Sequence, residues 1–222
     1  TIVTEADFKV EEFIRQGLYN LTPHYDVIGE EIDTVAETEF AWVIDPIDGT
    51  LPFIYKLPTW CISLGLTRNK EPFQGFVYVP VTDDFYYTDG EYSYKNGKKI
   101  FSISIQELDN ETIFAISNFT HKYFKFDFEN YPGGIISTGS GIYNNMLLAS
   151  GFMHMTLSVK PNLWDLAAAC AIVKNAGSDF FYYDGTDFKL SDVWNQKPVR
   201  KPLFFANKDS MSKFKDMFIS LN

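Results

Sequence analysis

Two aspartates three residues apart follow an apolar run in the segment AWVIDPIDGT, residues 41–50. Asp45 and Asp48 are followed directly by Gly49 and Thr50. Two carboxylates held close together repel each other unless a cation neutralises them, and hard oxygen ligands suit Mg²⁺. The glycine allows the backbone to approach a ligand closely. The segment therefore indicates a metal site, although Asp-Pro-x-Asp-Gly is also a favourable turn sequence in its own right.

Thr50 is placed to open a short helix whose first turn contains Pro52, a residue that tolerates this position well. The first N–H groups of a helix have no partner within it, and they form a ready site for phosphate. A phosphate held there beside a pair of carboxylates and their cations is the layout required for metal-assisted phosphoryl transfer. The segment thus favours chemistry on a phosphate ester.

Further acids stand at the ends of other expected elements. Glu30 and Glu31 follow an apolar strand, Asp7 lies beside the first helix, and Asp165 opens an Ala-rich helix. Asp165 could serve only as the partner of the helix dipole. Sites in folds of this kind are assembled from residues at the ends of several elements, and the four segments together favour a site.

The pattern of the chain predicts mixed strands and helices throughout. We expect strands at 26–28, 41–44, 61–67, 75–79, 112–117, 152–159, 180–183 and 203–206, a hairpin at 84–94, and helices after Thr4 and at 142–149, 166–176 and 210–219. Pro46 is expected to end its strand, and Thr4 with Asp7 resembles a capping box. This is a layered α/β or α+β fold. A change of pattern near residue 108 predicts two halves, 1–108 with most of the acids and 109–222 with Asp165, in one compact unit.

Composition excludes some classes of partner. The 222 residues carry a net charge of −10 and no Lys/Arg cluster, which argues against nucleic acid. No apolar run reaches the length of a membrane span, and no signal peptide opens the sequence. Cys61 and Cys170 stand in apolar surroundings, which predicts buried free thiols and a reducing compartment. We expect a soluble, cytoplasmic protein.

Three motifs in order resemble the inositol monophosphatase family of the Mg²⁺-dependent, lithium-sensitive phosphatase superfamily. They are Gly29-Glu-Glu31, Trp42-Val-Ile-Asp-Pro-Ile-Asp-Gly-Thr50 and Trp164-Asp-Leu-Ala-Ala168. The resemblance implies a helix–sheet–helix–sheet–helix sandwich of the inositol monophosphatase and fructose-1,6-bisphosphatase type. It also implies a phosphoric monoester hydrolase, a homodimer and inhibition by lithium. The family has about one or two helices ahead of the Thr-x-x-Asp segment, on which this sequence almost begins.

The resemblance also implies a ligand set for two or three Mg²⁺ ions. Glu30, Asp45 and the carbonyl of Ile47 would hold the first ion, Asp45, Asp48 and Asp165 the second, and Asp7 with Glu30 a third. The N–H groups of Gly49 and Thr50 would receive the phosphate. Water activated by the metal would attack phosphorus, and Thr50 with Asp7 or Glu30 would accept its proton.

The substrate is less determined by these motifs. By similarity, the loop Gly139-Ser140-Gly141 and Asp165 would contact the alcohol part of the substrate. Ser158 stands at a position where inositol monophosphatases have a glutamate, and Lys160 lies nearby in the sequence. Lys160 is a candidate contact for an anionic group or a solvated lysine. The run from Leu51-Pro52 to Trp60 resembles histidinol-phosphate phosphatases instead. A histidinol-phosphate or 3′-phosphoadenosine 5′-phosphate phosphatase, or a regulatory binding protein with dispensable catalysis, therefore stays open beside an inositol monophosphatase-like enzyme.

Overall fold

The computed structural model describes residues 4–32, 34–194, 201–215 and 217–221. Its helices are α1 (Glu5–Leu21), α2 (Thr50–Ile54), α3 (Gly141–Ala149), α4 (Leu163–Asn175) and α5 (Lys208–Lys215). Its strands are β1 (Asp26–Gly29), β2 (Phe40–Asp48), β3 (Cys61–Arg68), β4 (Glu71–Val79), β5 (Asp84–Thr88), β6 (Ser93–Lys95), β7 (Lys98–Ile100), β8 (Ile113–Ile116), β9 (Phe124–Phe126), β10 (Gly134–Ile136), β11 (Met155–Ser158), β12 (Asp179–Tyr182), β13 (Leu203–Ala206) and β14 (Phe218–Ser220).

Two large sheets organise these elements. The first has seven strands in the order β1-β2-β3-β4-β5-β6-β7, and only β1 and β2 run parallel. The second has five strands in the order β10-β8-β11-β13-β12, with β13 antiparallel to its neighbours. A small pair, β14 with β9, completes the strands. The first sheet ends at residue 100 and the second begins at residue 113, so the division at residue 108 remains a reasonable prediction.

Helix α4 lies between the two sheets. Its residues from Leu166 to Val173 are all buried, as expected for a helix covered on every side. It packs tightly against the first sheet, because a Cβ at Gly75 would lie 2.4 Å from the carbonyl oxygen of Ala168. One apolar cluster joins this helix and α3 to strands of both sheets.

The outer faces of the sheets are covered by other helices. Leu18 of α1 packs with Val27 and Trp42 of the first sheet, and Phe214 of α5 packs with Phe114 and Phe204 of the second. The layers are therefore helix, sheet, helix, sheet and helix, which confirms the predicted fold class. Among the described residues no helix is long and apolar enough to cross a membrane.

Two local predictions are wrong. Strand β2 does not end before Pro46 but continues to Asp48, with a shift of register between Asp45 and Asp48. A β-bulge accommodates the proline because the bulged segment leaves a ladder donor unused. Helix α5 ends at Lys215, and Phe218 pairs with Phe126 in a strand. The aromatic cluster below the second sheet takes up Phe218, and this tertiary packing overrides the helical spacing. The capping box of Thr4 and Asp7 is confirmed.

Candidate active site

The bulge in β2 determines how the two aspartates of the central motif are presented. Asp45 pairs with Ser63 and Asp48 with Cys61, so three steps along β2 face two steps along β3. In a regular strand, residues three apart point to opposite faces of the sheet. The extra residue at the bulge corrects this difference and brings both carboxylates to one side. Pro46 lies within this bulge and thus within the segment that presents both aspartates.

Three carboxylates meet at this point. Ligand oxygens of Asp45, Asp48 and Asp165 all lie within 4.8 Å of one another. Asp45 is almost fully buried, at 1% exposure, and its Oδ1 atom has no hydrogen-bond partner among the described residues. Burial, followed by the charges of Asp48, Glu30 and Asp165, raises the pKa of Asp45 well above its usual value. A buried acceptor without a partner is costly, and it indicates a position for a cation.

Asp48 is held by the start of α3. Its Oδ2 atom accepts hydrogen bonds from the hydroxyl of Ser140 and from the backbone N–H of Ile142, the latter at 2.7 Å. Burial raises the pKa of the Asp48 carboxyl, and the bond from Ser140 lowers it in part. Ser140 also caps α3 by accepting the N–H of Tyr143 at 3.0 Å. The predicted substrate loop and the predicted metal ligand are thus in direct contact.

Asp165 has a structural role as well as a place in the cluster. Its Oδ2 accepts the backbone N–H of Asn162 at 2.6 Å and completes a capping box at the start of α4. Burial and the charge of Asp48 raise its pKa to about 7. The helix-terminus interpretation and the metal-ligand interpretation of this residue are compatible, since a carboxylate has two oxygens and several lone pairs.

Glu30 follows β1 and faces the same cluster. Burial, and then the charges of Asp165, Glu31, Asp48 and Asp7, raise its pKa to about 8. These four acids lie close enough to Glu30 for their charges to act on its carboxyl group. The structure therefore brings Glu30 into electrostatic contact with the three aspartates.

A buried ion pair on α1 holds the segment that carries Glu30. Arg15 Nε donates to Glu11 Oε1 at 2.8 Å, and the same guanidinium donates at 2.8 Å to the carbonyl oxygens of Val27 and Ile32. Glu11 Oε2 accepts the backbone N–H of Glu31, also at 2.8 Å. The segment from β1 through Glu30 is therefore fastened at both ends to one helix, which fixes the backbone on either side of the carboxylate.

The contact between this ion pair and β1 requires glycine. A Cβ at Gly29 would lie 2.0 Å from Glu11 Oε1, closer than any side chain allows. Sequence reasoning missed Glu11 and Arg15. The signal was present, because Asp7, Glu11 and Arg15 recur at four-residue spacing and form a buried polar stripe along α1.

The other predicted residues surround the cluster with different contacts. Asp7 is buried, and its Oδ2 accepts the N–H of Thr4 at 2.8 Å together with the Thr4 hydroxyl. Gly49 adopts a left-handed φ of 90° before α2, and a Cβ there would lie 3.0 Å from Ser140 Cβ. Thr50 donates its hydroxyl to the carbonyl of Ile47 at 3.5 Å, so the predicted carbonyl ligand and the predicted catalytic threonine touch.

The residues predicted for the substrate do not all lie at the cluster. Gly139 has a φ of 86°, and a Cβ there would lie 2.7 Å from Pro52 Cγ, so the predicted substrate loop packs on the start of α2. Lys160 is exposed, and its ammonium lies 5.5 Å from the ring centroid of Tyr123. It lines a cavity that includes no residue of the carboxylate cluster.

Comparison with known proteins agrees with this geometry. The model of the inositol monophosphatase family matches residues 1–209. Inositol monophosphatase 3 of Solanum lycopersicum is 30% identical over 215 residues, which cover 86% of this chain and 76% of that protein. A histidinol-phosphatase of Chlorobaculum parvum is 32% identical over 195 residues, covering 83% of this chain and 74% of that protein.

A solved structure is also similar. The IMPase of Thermotoga maritima superposes with a TM-score of 0.85 at 26% sequence identity, over 98% of this chain and 83% of that one. The layered fold, the carboxylates at the ends of its elements and these matches define a phosphoric monoester hydrolase. The chain belongs to the inositol monophosphatase family.

Proposed function

We propose that this protein is a Mg²⁺-dependent phosphomonoesterase that hydrolyses a small alcohol phosphate with metal-activated water, as the family resemblance implies. The observation that carries the proposal is the buried Oδ1 of Asp45, which lacks a hydrogen-bond partner among the described residues and belongs to three carboxylates within 4.8 Å. Like charges this close are unfavourable at neutral pH without a cation. An all-oxygen donor set fits Mg²⁺ rather than a softer metal.

The proposed ligands come from four elements. Asp45 would bridge two ions, with Glu30 and the Ile47 carbonyl on one side and Asp48 and Asp165 on the other. Asp7 with Glu30 is the proposed site of a third ion. When bound, the ions neutralise charge on the phosphate and lower the pKa of water. The carboxylates bind and orient; none has to act as a nucleophile.

The chain's own groups would position the phosphate and accept a proton. The N–H groups of Gly49 and Thr50, at the start of α2, are the proposed phosphate donors. Thr50 with Glu30 or Asp7 is the proposed route for the proton of water. Two donors of Thr4 already occupy Asp7 Oδ2, which favours Glu30 as the acceptor.

Two alcohol classes deserve a direct comparison as substrates. The relatives include proteins named inositol monophosphatase and one named histidinol-phosphatase at similar identity. We therefore propose inositol 1-phosphate and histidinol phosphate as the first compounds to test, with adenosine 3′,5′-bisphosphate and fructose 1,6-bisphosphate beside them. A purely regulatory binding protein has no need for a cluster of buried acids, which argues for catalysis. A homodimer, inhibition by millimolar lithium and a cytoplasmic location remain expectations of the family.

The test is phosphate release with and without Mg²⁺, together with the thermal stability of the protein. Asp48→Asn removes one charged ligand and should lower kcat/KM by about 100-fold or more, because several kcal/mol of transition-state stabilisation depend on the ions. Asp187→Asn, at an exposed position, is the matched control and should keep its activity. Mg²⁺ should raise the melting temperature of the wild type more than that of Asp48→Asn. Wild-type turnover that is equal in EDTA and in Mg²⁺ would refute the metal assignment.

A further inference from the structure

Two adjoining cavities are lined by the Ser140 loop and by a pair of lysines. The first, the Ser140 cavity, has a volume of about 140 Å³, and its lining includes Ser117, Phe119, Ser140, Asn144 and Val159. Because the hydroxyl of Ser140 donates to Asp48 Oδ2, one wall of this cavity is shared with the cluster. A substrate whose phosphate reached the cluster would place its alcohol here.

The second, the lysine cavity, has a volume of about 180 Å³ and is lined by Phe119, Lys122, Tyr123, Val159 and Lys160. It shares Phe119 and Val159 with the Ser140 cavity. The two adjacent cavities, called the trough below, have Ser140, which donates to Asp48, on the lining of one and two lysines on the lining of the other.

The two ammonium groups have no carboxylate partner among the described residues. The Nζ of Lys122 lies 4.8 Å from the centroid of the Phe119 ring, and that of Lys160 lies 5.5 Å from the centroid of Tyr123. Cation–π contacts at exposed sites are weak and leave the charge in place. In a chain with a net charge of −10, two such cations on one small cavity are a local exception.

The strand that passes along the trough carries no acid. Ser158, Val159 and Lys160 follow one another there, and Ser158 is neutral at the position where the family resemblance places a glutamate. The charged residues that line this end of the trough are both lysines. An anionic group would be attracted and a protonated amine repelled.

We infer that the lysine cavity binds a second anionic group of the substrate. This inference rests on the proposed function and narrows the class of substrate that the protein would accept. The substrate is then a phosphate monoester whose alcohol also carries a phosphate or a carboxylate. Phe119, exposed at the junction of the two cavities, covers the middle of such a molecule. Histidinol phosphate, whose alcohol carries a protonated amine, is disfavoured by the same charges.

The test uses pairs of substrates that differ only in the second group. Fructose 1,6-bisphosphate is compared with fructose 1-phosphate, and 3-phosphoglycerate with glycerol 3-phosphate, by kcat/KM for phosphate release in Mg²⁺. The wild type should prefer the doubly anionic member by about 5- to 30-fold, the range expected for two partly solvated charge contacts. If the wild type prefers the doubly anionic compound in both pairs, the cavity accepts either a phosphate or a carboxylate. If it does so in the fructose pair alone, the cavity is specific for phosphate.

Lysine variants separate this inference from the proposed function. Lys122→Gln and Lys160→Gln should each remove part of the preference, and the double variant most of it, through a higher KM for the doubly anionic member of each pair. Lys125→Gln, at an exposed position outside both cavities, is the matched control and should keep the preference. Equal kcat/KM within each pair, or a preference that survives in the double variant, overturns the inference and leaves the phosphatase standing. No Mg²⁺-dependent release from any of the four compounds or from inositol 1-phosphate overturns the proposed function itself.

Discussion

The buried ion pair of α1 offers the sharpest test of how the site is supported. Arg15→Met keeps the aliphatic stem but removes the guanidinium, which makes three hydrogen bonds of 2.8 Å. Glu11, at 0% exposure, would lose its counter-ion, and the carbonyls of Val27 and Ile32 would lose their donor. Breaking a buried pair in this way typically costs about 3–5 kcal/mol. In a domain of this size that is a fall of about 6–20 °C in the melting temperature.

The same helix provides a control. Lys9 and Glu5 form an ion pair at 2.5 Å with the same four-residue spacing, but their side chains are 72% and 82% exposed. Lys9→Met should therefore cost no more than about 0.5 kcal/mol. Chemical denaturation of both variants in EDTA measures the difference without any contribution from bound metal. A loss for Arg15→Met no larger than that for Lys9→Met would refute the reasoning.

A second substitution shows whether the charge or the packing is responsible. Glu11→Gln keeps an acceptor for the N–H of Glu31 but removes the buried charge that Arg15→Met leaves behind. The double variant should accordingly be more stable than Arg15→Met alone, and a double-mutant cycle quantifies the coupling. Because this pair holds the segment that carries Glu30, the Mg²⁺ concentration for half-maximal activity should also rise, by about tenfold or more. Additive losses of stability would contradict the assigned pair.

Two further predictions concern the cluster and the central helix. The pKa of Glu30 is raised to about 8 and that of Asp165 to about 7, so in the metal-free protein the folded state retains protons that the unfolded chain has released. The free energy of unfolding in EDTA should therefore fall between about pH 5 and pH 8 and be restored by Mg²⁺; a rise over this range in urea melts would contradict the assignment. Gly75→Ala would place a Cβ 2.4 Å from the Ala168 carbonyl and should cost about 1–3 kcal/mol. Gly17→Ala, with open space around it, should instead stabilise α1 by about 0.5–1 kcal/mol; equal melting temperatures for the two variants would contradict the packing of α4.

Much of the candidate site could be predicted from local sequence. Asp45, Asp48 and Asp165 stand out because acids end apolar segments, and Thr4 with Asp7 forms the expected capping box. The bulge at Pro46 was harder to predict from the sequence. A proline after a strand ordinarily indicates its end, and only pairing with β3 decides that the strand continues and turns both aspartates to one side.

Other features depend on contacts between distant parts of the chain. From the sequence alone, Arg15 resembles an ordinary exposed helical residue. Only the packing of β1 against α1 brings its guanidinium into hydrogen-bonding distance of two carbonyl oxygens and Glu11. Lys122 belongs to no motif. It meets Lys160 at one cavity because the segment after β8 and the segment after β11 leave parallel neighbouring strands at the same edge of the second sheet.

The sequence by itself determined the family and the kind of chemistry, because metal ligation needs particular side chains at short, recognisable spacings. It also determined the alternation of helices and strands from which the layers follow. Only the tertiary structure decided that three carboxylates approach within 4.8 Å, that a buried ion pair holds the Glu30 segment, and that two lysines face one cavity. These depend on long-range packing, in which residues separated by 20 to 120 positions meet, and no local pattern in a single sequence encodes such distances.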